Sequence, residues 1–224
     1  MSARATVAEA IGTAFLLAAV VGSGIMGERL AGGNVAIALL ANTLATGATL
    51  VALILTFGPI SGAHLNPAVT LIQAWGGATA WRHVPGYIAA QFVGAIAGVA
   101  CAHLMFGEAL FTASRHVRSG GSQLFSEFIA TFGLVAVIRG CGRFRPSAVP
   151  FAVGAYITGA YWFTASTSFA NPAVTLARSL TDTFAGIRPA DVPGFIAAQL
   201  TGAIAAGALF AWLAPADAEP ELAK

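Results

Sequence analysis

The hexapeptide Asn-Pro-Ala-Val-Thr-Leu occurs twice in this chain, at residues 66–71 and again at 171–176. Asn is a preferred helix cap, and Pro, with no N–H to lose, is favoured at the first helical position. Each copy therefore predicts the start of a helix. The apolar runs that follow end near residues 76 and 181, too soon to cross a bilayer. Two helix starts at membrane depth imply two broken helices, which persist only where they line a polar cavity. A duplication of this kind points to a membrane protein built from two repeats, and the cavity to a pore or a carrier.

Composition agrees with that setting. Of the 224 residues, 57% are hydrophobic and only 9% are charged, against about 25% charged in soluble domains. The net charge of +2 and the lack of a basic run exclude nucleic acid as a partner. Cys101 and Cys141 lie in apolar helical stretches and read as small buried side chains. No zinc-type spacing is present, so neither a metal nor a cofactor is expected. The first apolar stretch carries Glu9 and lacks an Ala-x-Ala exit, and it reads as a retained membrane helix rather than a signal peptide.

Six stretches are long enough to span: about 6–26, 34–57, 84–107, 122–141, 147–164 and 191–214. The repeat extends well beyond the hexapeptide. Glu9-x-Ile11-x-Thr13 recurs as Glu127-x-Ile129-x-Thr131, and Val84-Pro85-Gly86-Tyr87 through Gln91 recurs as Val192-Pro193-Gly194-Phe195 through Gln199. Each half, about 1–110 and 120–214, then holds three full helices and one half-helix. Three crossings is an odd number, so the second half must start on the opposite side from the first. The expected fold is a single all-α transmembrane domain over 1–224, six helices plus two half-helices in an inverted repeat. Gly94 with Gly98, and Gly202 with Ala206, are small-residue pairs at helical spacing that let backbones pack closely. The hydrophilic tail from Pro215 to Lys224 is expected to fray. The arginine cluster at residues 139–145 favours a cytoplasmic N-terminus, and with an even number of spans a cytoplasmic C-terminus.

In an inverted repeat the half-helices meet N-terminus to N-terminus near the bilayer midplane. Each end carries about +0.5 elementary charge, so a cation arriving there is repelled and also loses hydration. Asn66 and Asn171 read as caps that also offer side-chain N–H donors to a passing oxygen. The carbonyls of Gly62, Ala63 and His64, and of Thr167, Ser168 and Phe169, are expected to form a ladder of acceptors down the pore. Such a lining suits small, neutral, hydroxylated solutes and not ions, which would need a denser charge ring. Glu9 and Glu127 are intramembrane carboxylates, which default to function such as proton coupling. Their duplication favours the structural alternative, in which each accepts bonds from backbone N–H groups of a broken segment.

The paired Asn66-Pro67-Ala68 and Asn171-Pro172-Ala173 motifs, residues 61–65 before the first, the two Glu signatures and the Gln91/Gln199 pair make the chain closely resemble the aquaporin and aquaglyceroporin family, the major intrinsic proteins. The resemblance covers nearly the whole chain. It implies an aquaporin-like fold, one pore in each protomer and a homotetramer in the membrane. It also implies a second constriction, the aromatic/arginine filter, whose four positions carry over by spacing as Thr46, Gly159, Ser168 and Val174. Water-selective members have an aromatic at the first and His at the second; glycerol-conducting members usually have Gly or another small or apolar residue at the second; nearly all members have Arg at the fourth. Val in place of the filter Arg resembles a bacterial branch tied to metalloid handling, and places the protein in a bacterial inner membrane. The expected cargo is glycerol-like polyols, water, urea and arsenite, which near neutral pH is mostly neutral As(OH)3.

Arg178 lies four residues after Val174, on the same helix face, and leans toward the filter. It either folds back over Val174 or points into the outer vestibule and pairs with Asp182; the second is the expectation. A secondary transporter is the alternative function, since it too uses inverted repeats and broken helices. An enzyme is not expected, because no nucleophile is paired with a base and His64 lacks an acid partner. His83, His103 and His116 fall at helix ends or in loops and are expected to be solvated or interfacial.

Overall fold

Local capping chemistry sets most of the element boundaries. In the computed structural model, which describes residues 2–214, Ser2 caps α1 (Ala3–Leu30) by accepting from the Ala5 N–H at 3.2 Å. Asn34 caps α2 (Val35–Ser61), which ends where Gly62 turns left-handed at φ 86°. The half-helix α3 (Pro67–Trp75) follows. α4 (Val84–Phe106) starts with Pro85 in its first turn and stops at left-handed Gly107. α5 (Gly121–Phe144), α6 (Val149–Phe163), the second half-helix α7 (Pro172–Arg178) and α8 (Val192–Leu213) complete the chain. Short 3-10 turns lead into α4, α6 and α8. Among the described residues there is no strand. The tail expected to fray, 215–224, lies outside them.

Five of these elements are long and apolar enough to cross a membrane: α1, α2, α5, and α4 and α8 with their leading turns. The expected stretch at 147–164 folds as α6, which has only 15 residues. At 1.5 Å per residue that is about 22 Å, less than the ~30 Å hydrocarbon core. A 3-10 turn at Pro146–Ala148 precedes it and takes up the start of the expected run.

The halves pack alike. α1 lies along α4, and α5 along α8. A Cβ on Gly94 or Gly98 would run into the carbonyls of Ala10 and Ala14, and one on Gly202 into that of Phe128. Glycine is required there for backbones to touch. α3 contacts α4 and α8, and α7 contacts α8 and α4, so each half-helix is held between the two halves.

The bundle buries a set of polar side chains within its apolar core and exposes large apolar ones. Glu9, Glu127, Gln91, Gln199, Thr70 and Thr175 are fully buried, whereas Phe15, Leu44, Val93, Leu104, Phe151 and Ile204 are exposed. Such a surface requires an apolar surrounding, and the chain is an integral membrane protein. Two expectations fail at this level. Cys101 is exposed on the outer face of α4 and Cys141 is half-buried, so neither is a core side chain. His103 is buried, with its Nε2 2.7 Å from the Thr181 hydroxyl, because the loop after α7 folds over the end of α4.

Candidate functional site: a pore between two half-helices

The segments that precede α3 and α7 depart from ordinary backbone. Of the six non-glycine residues with positive φ among the described residues, five lie here: Ala63 and Leu65 before α3, and Thr167, Ser168 and Ala170 before α7. A left-handed non-glycine residue costs about 1–2 kcal/mol. The two carboxyl groups offset that cost. Glu9 accepts from the His64 N–H at 2.9 Å and the Leu65 N–H at 2.7 Å, and also from Ser61 Oγ and Gln91 Nε2. Glu127 accepts from the Phe169 N–H at 2.8 Å, the Ala170 N–H at 2.9 Å and Gln199 Nε2. Hydrogen bonds to a charged group contribute about 1.5–3 kcal/mol each, enough to hold both segments in this geometry. In every one the carboxyl oxygen is the acceptor. Gln91 and Gln199 each also donate to a half-helix hydroxyl, Thr70 or Thr175.

With the N–H groups turned onto the glutamates, the carbonyls turn the other way. Gly62, Ala63 and His64 line one central cavity with Leu65, and Ser168 and Phe169 line it with Ala170. Thr167, expected in that ladder, is not among the lining residues, and Ala170 stands there instead. Thr167 lies behind the wall, where its Oγ1 is within 3.4 Å of Arg118 Nη1.

The two half-helix N-termini meet in this cavity. Asn66 is extended, and its Oδ1 accepts from the Ala68 N–H at 2.9 Å. Asn171 is likewise extended, and its Oδ1 accepts from the N–H groups of Ala173 and Val174. The amide nitrogens cross over. Asn66 Nδ2 donates to the Ala170 carbonyl and Asn171 Nδ2 to the Leu65 carbonyl, both at 2.8 Å. Each NH2 group spends one hydrogen on this cross-brace and has a second to offer. Both Asn side chains line the cavity, whereas Pro67, Ala68, Pro172 and Ala173 are buried behind them.

The cavity lining differs from the expected outer constriction at two positions. Thr46, Ser168 and Val174 line the cavity. Gly159 does not. It is exposed, and a Cβ built on it would meet nothing within 4 Å. α6 instead presents Val153, Ile157 and Tyr161, one residue per turn, and the Tyr161 Oη sits 3.4 Å from Thr46 Oγ1. An aromatic ring therefore stands where a small residue was expected. Arg178 is the other departure. It is 2% exposed and lines the cavity, with its Nε donating to the Ala185 carbonyl and its guanidinium carbon 3.4 Å from the centroid of the Phe169 ring. Asp182, its expected partner, is taken by Arg115 through backbone and side-chain N–H bonds, both at 2.8 Å. Those bonds hold the Asp182 carboxyl below the usual carboxylate range. Among the described residues no group of His, Cys, Asp and Glu could hold a metal.

Residues 1–144 match the family model described as major intrinsic protein. The chain is 58% identical to aquaglyceroporin AqpS of Rhizobium meliloti (strain 1021) over 94% of its own length and 90% of that protein. The chain belongs to the major intrinsic protein family. Aquaglyceroporin-3 of Trypanosoma brucei brucei is 36% identical across 66% of this chain, and 56% of that relative is covered. Aquaporin NIP1-3 of Oryza sativa subsp. japonica is 39% identical across 62% of this chain, which spans about half that relative's length. The X-ray structure of the aquaglyceroporin from Plasmodium falciparum has the same fold, with a TM-score of 0.68 over 94% of both chains at 21% identity. As a major intrinsic protein the chain is a passive membrane channel and not an enzyme.

Proposed function

We propose that this channel conducts water, glycerol and comparable neutral solutes, among them urea and arsenite as As(OH)3. The crossed pair Asn66 and Asn171 carries the reading. It puts two N–H donors, backed by two helix N-termini, at one point of a cavity whose wall also offers carbonyls and many apolar side chains. A hydroxylated solute exchanges its hydration for those donors and acceptors, whereas a cation meets the positive ends of both half-helices. The two halves, 1–110 and 120–214, act as inverted copies around that point. The apolar outer faces of the helices support a membrane-embedded homotetramer. The arginines at 139–145 support a bacterial inner membrane with both termini cytoplasmic.

The carrier alternative needs a coupling site. Among the described residues no acidic side chain lines the cavity, and Glu9 and Glu127 are occupied in holding backbone N–H groups, which favours a channel. Glycerol uptake into proteoliposomes decides between them: a rate that rises in proportion to the gradient is expected, and a rate that saturates would indicate a carrier.

A further inference from the structure

Arg178 is the one cationic side chain in the cavity wall, and the described residues do not meet all of its polar demand. Its side chain is almost wholly buried, and its Nη1 has no hydrogen-bond partner among the described residues. The ion pairs at this end join Arg29 to Glu108, Arg115 to Asp182 and Arg188 to Asp191; none includes Arg178. Its neighbours also fix it in place. The Ala185 carbonyl takes its Nε, and the Phe169 ring lies against the guanidinium face. Arg118 approaches the same ring, with 5.0 Å from its guanidinium carbon to the centroid, and is itself tied to the Gly186 and Ser166 carbonyls. One aromatic ring thus serves two cations, and among the described residues no carboxylate is bonded to Arg178. A buried guanidinium N–H without an acceptor is unfavourable, and such groups persist where an acceptor arrives in function. Ser168 Oγ, beside it in the wall, is also unpartnered.

We propose that Arg178 is the solute-recognising donor of the outer constriction, and that its guanidinium donates to hydroxyl and oxo oxygens of neutral solutes in transit. Val174, one turn earlier on α7, supplies the apolar wall for the solute's carbon atoms. Arg178 recognises the oxygens from a point one turn further along α7. The inference rests on the channel reading above and deepens it by naming the residue that discriminates among solutes.

The test compares glycerol and water flux through the native protein, Arg178→Met and Arg178→Lys in proteoliposomes at equal inserted protein. Met keeps much of the side-chain length but has no donor and no charge. The glycerol-to-water ratio is expected to fall several-fold in Arg178→Met and to recover in part in Arg178→Lys, which restores a cationic donor. A native protein that passes glycerol, with the same ratio in Arg178→Met, overturns this inference and leaves the channel reading standing. A native protein that passes neither solute overturns both. Should the variants not insert, the native channel serves: treatment with glyoxal is expected to leave an adduct on Arg178 by mass spectrometry, reduced by excess glycerol. No adduct there, or one indifferent to glycerol, overturns the proposal.

Discussion

At the scale of single residues, the outer constriction turns on helical phase. Counting twelve positions back from Asn171 arrives at Gly159, but that count runs through residues 164–170, where three residues are left-handed and rise per residue is irregular. Only the packing of α6 against α2 reveals that Ile157 and Tyr161 face inward while Gly159 faces out. Gly159→Val is therefore expected to leave water and glycerol flux unchanged, and a loss of glycerol flux in stopped-flow measurements would return Gly159 to the pore. Val174→Arg does the opposite. It narrows the cavity and sets a second guanidinium four residues from Arg178, where like charges repel by about 0.2–0.5 kcal/mol on a helix. Glycerol flux is expected to fall sharply with water spared more; equal losses of both, or none, would contradict a constriction at this position. The position of Arg178 was hidden from the sequence for a tertiary reason. Asp182 is its neighbour along the chain, but Arg115 reaches that carboxylate first.

At the scale of elements, what could be read in advance was what local chemistry decides. Asn-Pro starts α3 and α7, Pro starts α4 and α8, and Gly62 and Gly107 end α2 and α4, each because backbone geometry or a missing N–H leaves few alternatives. The small-residue pairs were legible too, since close helix approach leaves no room for a Cβ. A limit appears at α6, where apolarity continues through a 3-10 turn and the sequence carries no sign of the change. The glycines give a sharp test of helix packing. Gly98→Leu would force α4 off the Ala14 carbonyl and the Leu17 side chain, whereas Gly142→Leu, on open surface in α5, meets nothing. Overpacking of this kind costs about 1–3 kcal/mol or more. Thermal unfolding in detergent is expected to shift down clearly for Gly98→Leu and little for Gly142→Leu; equal shifts would mean that α1 and α4 are not in backbone contact.

At the scale of the whole molecule, the fold turns two weak local preferences into one electrostatic device. A helix N-terminus alone carries a partial positive charge that water readily screens; two of them opposed inside a protein-walled cavity are screened far less. The two glutamates accept bonds from the strained backbone on either side and do not line the cavity themselves. The buried Arg178 adds a charge of the same sign to the cavity wall. The pore should therefore refuse cations while passing neutral hydroxylated solutes. The most direct test is made on one preparation of the native protein, with glycerol flux followed by light scattering in vesicles and sodium and proton current recorded in planar bilayers. Rapid glycerol flux with no current above the lipid background is the predicted result; sodium or proton current that scales with inserted protein would contradict the account.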